Sequence, residues 1–152
     1  MTPPSMPKGF FPGHRAALGV SLCLFLACFA LPGRAIDIIT NKGVTQNTLT
    51  LATARAIFGM RQSKWPDGTA IRVFVLPDDH TTHGALCKER LNLFPYQLRQ
   101  SWDRLVYSGM AQAPSEVSNE EELLNKVATT PGAIGYVRKV KANDPVKIIP
   151  IE

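Results

Sequence analysis

Residues 71–84 read IRVFVLPDDHTTHG, an apolar run followed by a polar loop and the start of a helix. The run at 71–76 is apolar except for Arg72, and a continuous apolar strand is typical of a sheet covered by helices on both faces. A loop that joins such a strand to a helix directs backbone N–H groups and the positive end of the helix dipole at one point. The stretch therefore predicts an α/β fold with a possible oxyanion site, and a simple helix cap by Asp79 or Thr81 is the alternative.

Residues 1–35 have the pattern of a secretory signal peptide. Basic residues precede an uncharged run at 16–31, which is shorter than the ~20 residues of a spanning helix. Ala35 fits a cleavage site, so we expect an exported, periplasmic domain at 36–152. An uncleaved membrane anchor is the alternative.

The composition of the predicted mature domain narrows its function. The whole chain has a net charge of +5, but residues 1–35 contain 3 of its 17 basic residues and none of its 12 acidic residues, which leaves +2. Scattered charges of this balance give no reason to propose nucleic acid as a partner. Cys87 is the only thiol after residue 35, so the sequence predicts no intramolecular disulfide.

Local patterns predict four strands and four helices. Thr50 and Gly59 fit the two ends of a helix, and Gly135 interrupts a strand at a position where another group must come close. A linker is expected at 111–117. We expect strands at 36–39, 71–76, 133–137 and 146–151, and helices at 51–58, 81–93, 95–109 and after a capping box at 118–121.

Three motifs occur in order along the chain: LTLATARAIFGM at 49–60 followed by WPDG at 65–68, then WDRLVYSG at 102–109, then TPGAIGYV at 130–137. Together they resemble the phosphate-binding proteins of ABC transporters, and more closely a family of short exported domains of that type. The resemblance covers residues 36–151. It implies a three-layer mixed sheet with flanking helices, like one lobe of a type II periplasmic binding protein. It also implies a non-enzymatic domain that binds phosphate or a related oxyanion in ABC transport.

The resemblance also implies where the oxyanion binds. In the family, the loop after the strand at 71–76 donates hydrogen bonds to phosphate, and an acidic residue accepts the phosphate proton. The Ser-Gly-Thr donors and the arginine of that loop have no counterpart here. The matching ligand residues are Asp78, Asp79, His80, Thr81, Thr82 and His83, flanked from a neighbouring strand end by Thr40, Asn41 and Thr45.

A single lobe leaves an anion half solvated, so a partner that supplies the other wall is expected. That partner is a transporter permease, another periplasmic protein or a second copy of the chain. A structural or interaction module built on the same lobe is therefore an alternative function.

A zinc or copper carrier is the second alternative, because His80, His83 and Cys87 have helical spacing i, i+3, i+7. A core position for Cys87 beside Leu91 and Phe94 is the simpler interpretation. The sequence predicts no catalytic residues and no cofactor. Four basic residues are candidates for a rim around the anion loop: Lys42, Arg55, Arg61 and Lys64.

Overall fold

The computed structural model describes residues 1–5, 9 and 35–152, and residues 35–152 belong to one folded unit. Most of the predicted signal peptide, including its uncharged run at 16–31, lies outside the described residues and stays a prediction. In the part of the chain that is described, no helix combines the length and the apolar character needed to cross a membrane.

The folded unit is a mixed α/β domain built on one five-stranded sheet. The sheet has the order β3-β2-β4-β1-β5, in which β2 is parallel to β3 and β4, and β1 is antiparallel to β4 and β5. The elements are β1 (Asp37–Asn41), α1 (Leu51–Phe58), β2 (Arg72–Val75), α2 (Thr81–Ala85), a π-helical segment (Leu86–Arg90), α3 (Pro95–Tyr107), β3 (Ser115–Glu116), α4 (Glu120–Thr129), β4 (Ala133–Val137) and β5 (Val146–Ile148).

Two adjacent residues of β4 show that helices cover both faces of the sheet. A Cβ added to Gly135 would lie 2.5 Å from Leu123 of α4, so this helix packs directly against one face. Tyr136 points to the other face, where its ring meets Phe58 of α1 edge to face at 6.0 Å. All five residues of β4 are buried, as expected for a strand in the middle of three layers. The predicted fold class and the predicted role of Gly135 are confirmed.

Helix caps explain why several boundaries agree with the sequence pattern. The Thr50 side chain accepts a hydrogen bond from the Thr53 amide at 3.1 Å, and α1 begins directly after this cap. The cap of α4 is Asn119, one residue later than the start of the predicted capping box, and it accepts from the Glu122 amide. The Glu122 carboxylate in turn accepts from the amide of Ser118.

The predicted helix at 81–93 differs from the observed structure. It ends at Ala85 and continues as a π-helical turn, in which the Leu91 amide bonds to the Leu86 carbonyl five residues earlier. The wider turn changes which residues share a face. The prediction that Phe94 packs beside Cys87 is therefore wrong: Cys87 is buried, whereas Phe94 is 54% exposed and precedes α3.

The predicted linker at 111–117 contains the short edge strand β3. Ser115 and Glu116 pair with Phe74 and Val75 of β2 through their backbones, while their own side chains are exposed. Because no apolar alternation marks this strand, the prediction of four strands was one too few.

Candidate functional site

One edge of the sheet collects polar groups from distant parts of the chain. β2 and β4 are parallel, with Val73 beside Ile134, so both strands end at this edge. The loop that follows β2 leads into α2, and Arg138 directly follows β4. The backbone amide of Arg138 donates to Glu120 at 2.8 Å, which brings the first turn of α4 to the same place.

Thr82 is fully buried at the centre of this edge. Its hydroxyl donates to Oε1 of Glu120 at 2.5 Å and accepts a hydrogen bond from Nε of Arg138 at 3.1 Å. These bonds fix the Arg138 side chain through Nε. Its terminal amino groups have no hydrogen-bond partner in residues 35–152, so they are available to an anion.

A second guanidinium reaches the loop from α3. Nε of Arg99 donates to Oδ2 of Asp78 at 2.7 Å, and Nη2 of Arg99 lies 3.8 Å from Glu116. The hydrogen bond to Asp78 raises the pKa of the Arg99 guanidinium. The Arg99 guanidinium also forms a cation–π contact with Trp102, at 4.9 Å from the centre of the ring.

His80 caps the helix that follows the loop. Its Nδ1 accepts a hydrogen bond from the Thr82 amide at 3.2 Å, so neither Asp79 nor Thr81 is the cap. The side chains of Asp79 and Thr81 are exposed, and His80 is half-buried. The exposed part of the loop therefore offers the carboxylate of Asp79 and the hydroxyl of Thr81, whereas the Thr82 amide is already bonded to His80.

His83 faces the interior instead of the loop surface. The Tyr136 hydroxyl accepts a hydrogen bond from the Leu76 amide at 2.8 Å and lies 2.6 Å from Nδ1 of His83. The hydroxyl thus lies within hydrogen-bond distance of both groups, and Nε2 of His83 lies 3.8 Å from Oδ1 of Asp78. Burial lowers the pKa of His83, and the nearby Asp78 only partly opposes this effect. His83 is a neutral core group that ties α2 to β4.

The predicted metal ligands do not converge. Nδ1 of His80 is occupied by the helix cap, and His83 and Cys87 lie together in the core with 3.7 Å between Nε2 and Sγ. Burial, followed by the effect of Asp78, raises the pKa of the Cys87 thiol to about 12, which keeps it protonated. Among the described residues, no group of three or more His, Cys, Asp or Glu side chains is arranged to hold a metal ion.

Thr40, Asn41 and Thr45 lie away from the loop, so the prediction that they flank it is wrong. β1 is antiparallel to β4, with Thr40 beside Ile134 near the start of β4, and its C-terminal end therefore lies at the opposite edge.

Each of these three side chains has a hydrogen-bond partner at that opposite edge. Thr40 donates to the Lys147 carbonyl at 3.5 Å, and Thr45 donates to Asp67 at 3.2 Å. Asn41 donates to the last carbonyls of α4, at 3.0 and 2.9 Å.

The sequence reasoning missed Arg99 and Arg138, which bring two guanidinium groups to a loop that has no arginine of its own. Arg138 had a weak signal, since it directly follows a predicted buried strand. Arg99 had none, because only the packing of α3 carries it to Asp78. Among Lys42, Arg55, Arg61 and Lys64, two lie together elsewhere: Arg55 and Arg61 line a cavity between α1 and α3.

Comparisons with known proteins identify the fold. No protein-family model matches the chain, and no curated protein matches it. PstS from Borrelia burgdorferi matches 78% of this chain and 47% of its own, with 14% identity and a TM-score of 0.58. An ABC-type phosphate transport receptor from Vibrio cholerae matches 76% of this chain and 45% of its own, with 13% identity and a TM-score of 0.58.

A third structure is a protein from Clostridium perfringens assigned as a phosphate ABC transporter substrate-binding protein and solved with bound phosphate. It matches 77% of this chain and 44% of its own, with 18% identity and a TM-score of 0.60. The chain thus spans less than half the length of each of the three. It has the α/β fold of phosphate ABC transporter substrate-binding proteins and corresponds to a lobe-sized part of them, as the sequence resemblance predicted.

Proposed function

We propose that the chain is an exported, non-enzymatic domain that binds phosphate or a related oxyanion at residues 78–83 and serves an ABC transporter. The observation that carries the proposal is the convergence of Arg99 and Arg138 on the loop between β2 and α2. The fold supports it, since one structure with this fold was solved with bound phosphate.

The polar groups at the loop suit a hydrogen phosphate ion. The terminal amino groups of Arg138, the outer N–H groups of Arg99 and the exposed hydroxyl of Thr81 supply donors. The exposed carboxylate of Asp79 is an acceptor for the phosphate proton. Fully deprotonated sulfate has no such proton, and we therefore expect phosphate to bind more tightly than sulfate.

The carboxylates near the loop limit the affinity. Oδ2 of Asp78 already holds the Arg99 guanidinium, and Glu120 accepts hydrogen bonds from the Thr82 hydroxyl and from the backbone amide of Arg138. An anion must compete with Asp78 for Arg99, is repelled by Glu120 and remains open to solvent on one side. We expect a dissociation constant on the order of 1 mM for the isolated chain, and tighter binding where a partner closes the site. That partner is a permease, another periplasmic protein or a second copy.

Isothermal titration calorimetry with phosphate, sulfate and molybdate tests this function. We expect heat with phosphate that is lost or strongly reduced in Arg138→Gln. Arg72→Gln is the matched control, because Arg72 is an exposed arginine at the start of β2, away from the loop. Absence of heat from all three anions at millimolar concentration would remove the ligand-binding proposal.

An interaction module is the second candidate function, favoured by exposed aromatic side chains around α3. Phe94 and Tyr96 are 54% and 60% exposed and stack with their ring centres 5.8 Å apart, and Tyr107 is 89% exposed. Sedimentation velocity distinguishes the candidates. A mass above that of one chain that falls in a Tyr96→Ser variant, together with no anion binding, would favour the interaction module.

A further inference from the structure

A cavity of about 350 Å³ between α1 and α3 is lined by three arginines that the loop does not use, Arg55, Arg61 and Arg104. No carboxylate is among its lining residues. The other side chains that line it are the amides Gln97 and Gln100, the Ser101 hydroxyl, which already donates to the Gly59 carbonyl at 2.9 Å, and the apolar residues Leu93, Leu98 and Leu105. The cavity therefore joins a strongly positive rim to a partly apolar wall.

The three guanidinium groups differ in their partners. Backbone carbonyls hold Arg55, whereas Arg61 and Arg104 have no carboxylate partner in residues 35–152. Nε of Arg55 donates to the Leu91 carbonyl at 2.7 Å and Nη2 donates to the Asn92 carbonyl at 3.4 Å, which fixes the group in place. In residues 35–152, neither Arg61 nor Arg104 forms an ion pair. Arg61 and Arg104 are exposed, so solvent screens their repulsion, but the cavity keeps a net positive charge because no carboxylate lines it.

Two helix ends with left-handed residues adjoin the same cavity. Among the described residues, the non-glycine residues with positive φ are Met60 (φ 61°) and Asn92 (φ 50°), and both adjoin it. Met60 lies between the lining residues Gly59 and Arg61, and its conformation returns the chain so that the Arg61 amide bonds to Ala56 at 2.8 Å. The carbonyl of Asn92 accepts from Arg55. The left-handed turns at Met60 and Asn92 end two helical segments and thereby position Arg61 and Arg55 at the cavity.

We propose that this cavity binds a small organic anion that carries two or three carboxylate or phosphate-ester charges on a carbon skeleton. Three guanidiniums match two or three negative charges, and their planar forks pair with carboxylate or phosphate oxygens. The half-buried Leu93 and Leu105 contact the carbon skeleton of the ligand. The volume lies at the lower end of the range for small-molecule sites, which fits a compact metabolite.

Isothermal titration of the purified protein with citrate and with glycerol 2-phosphate tests the proposal. We expect binding of at least one of the two, weakened roughly tenfold or more in Arg104→Gln and in Arg61→Gln, because each loses a charge-assisted hydrogen bond. Citrate alone would assign carboxylates, and glycerol 2-phosphate alone would assign phosphate esters. Arg138→Gln, at the loop, should leave this binding unchanged, and Arg104→Gln should leave inorganic phosphate binding at the loop unchanged.

The proposal is overturned if neither anion binds at millimolar concentration, if acetate binds as well as citrate, or if both arginine variants bind like the wild type. Circular dichroism melting checks that the variants are folded. Arg104→Lys retains the charge but loses the planar fork and should give an intermediate affinity, so a folding defect in Arg104→Gln would not end the test. Because separate arginines are changed at the loop and in the cavity, failure of one site does not imply failure of the other.

Discussion

The Tyr136 hydroxyl lies 2.6 Å from Nδ1 of His83, and both side chains are fully buried. The same hydroxyl accepts the amide proton of Leu76 at the end of the strand that leads into the loop. One phenol therefore holds together the central strand, the helix that follows the loop and the exit of β2. The rigidity of the loop depends on this contact.

Tyr136→Phe should destabilise the domain by about 1–3 kcal/mol, because the Leu76 amide and Nδ1 of His83 would each lose a buried partner. Urea denaturation measures the change. Tyr107→Phe removes a hydroxyl from a side chain that is 89% exposed and should stay within about 0.5 kcal/mol of the wild type. Equal stability of Tyr136→Phe and wild type would contradict the assigned role.

The stability of the domain should fall on acidification because of His83. Burial lowers the pKa of His83 below its ordinary value of 6.5. Just below pH 6.5, His83 is therefore protonated in the unfolded chain but still neutral in the folded chain. The contribution of neutral His83 to the free energy of unfolding is fully present above pH 6.5. It is lost as the pH falls through 6.5 toward the lowered pKa. Asp78, Tyr136 and Cys87 lie next to His83, and the charges of Arg99 and His80 act in the same direction as burial on its pKa.

Urea denaturation of wild type and His83→Gln at about pH 7.5 and about pH 5.5 measures this effect across the range where histidine titrates. The loss of unfolding free energy between the two pH values should be smaller in the variant. The same loss in both proteins would exclude His83 as its source.

Gly135→Ala should destabilise the domain by about 1–3 kcal/mol, since its Cβ would lie 2.5 Å from Leu123 and 2.9 Å from Val127. Gly84→Ala is the matched control. A Cβ there meets nothing within 4 Å, and alanine in the helix interior should be neutral or stabilising by up to ~1 kcal/mol. Thermal denaturation of both variants gives the comparison, and similar melting temperatures would refute the packing of α4 against β4.

Cys87 should resist alkylation in the native protein. Its thiol is buried and its pKa is raised to about 12, so almost no thiolate is present at mildly alkaline pH. Mass spectrometry of the Cys87 peptide after iodoacetamide treatment should show slow labelling under native conditions and rapid labelling in denaturing urea. Rapid native labelling would mean that the core around His83 opens readily.

Short-range signals predicted much of the fold. The cap at Thr50, proline at the start of α3 and the glycine in β4 each depend on a few neighbouring residues, and the structure has a helix or a strand at each of them. The π-helical turn at Leu86–Arg90 and the edge strand β3 were missed. The first has a composition that suits an α-helix, and the second is held by backbone pairing that leaves no side-chain pattern.

The candidate site was predicted only where it is contiguous in sequence. The loop at 78–83 was located from its strand and helix, but the direction of β1 in the sheet is a tertiary property, and it moves Thr40 to the opposite edge. For the same reason, no local pattern identified Arg99 or Arg138 as neighbours of Asp78 and Thr82. The loop was predictable from its sequence, whereas its charged neighbours required the fold.

Titration of the ¹⁵N-labelled protein with phosphate, followed by amide chemical shifts, tests the oxyanion site most directly. The account predicts saturable shifts of the Thr81 and Thr82 amides and of Arg138, absent in Arg138→Gln and retained in Arg72→Gln. Phosphate at saturating millimolar concentration that shifts no amide at residues 78–83, or shifts only amides elsewhere, would contradict it.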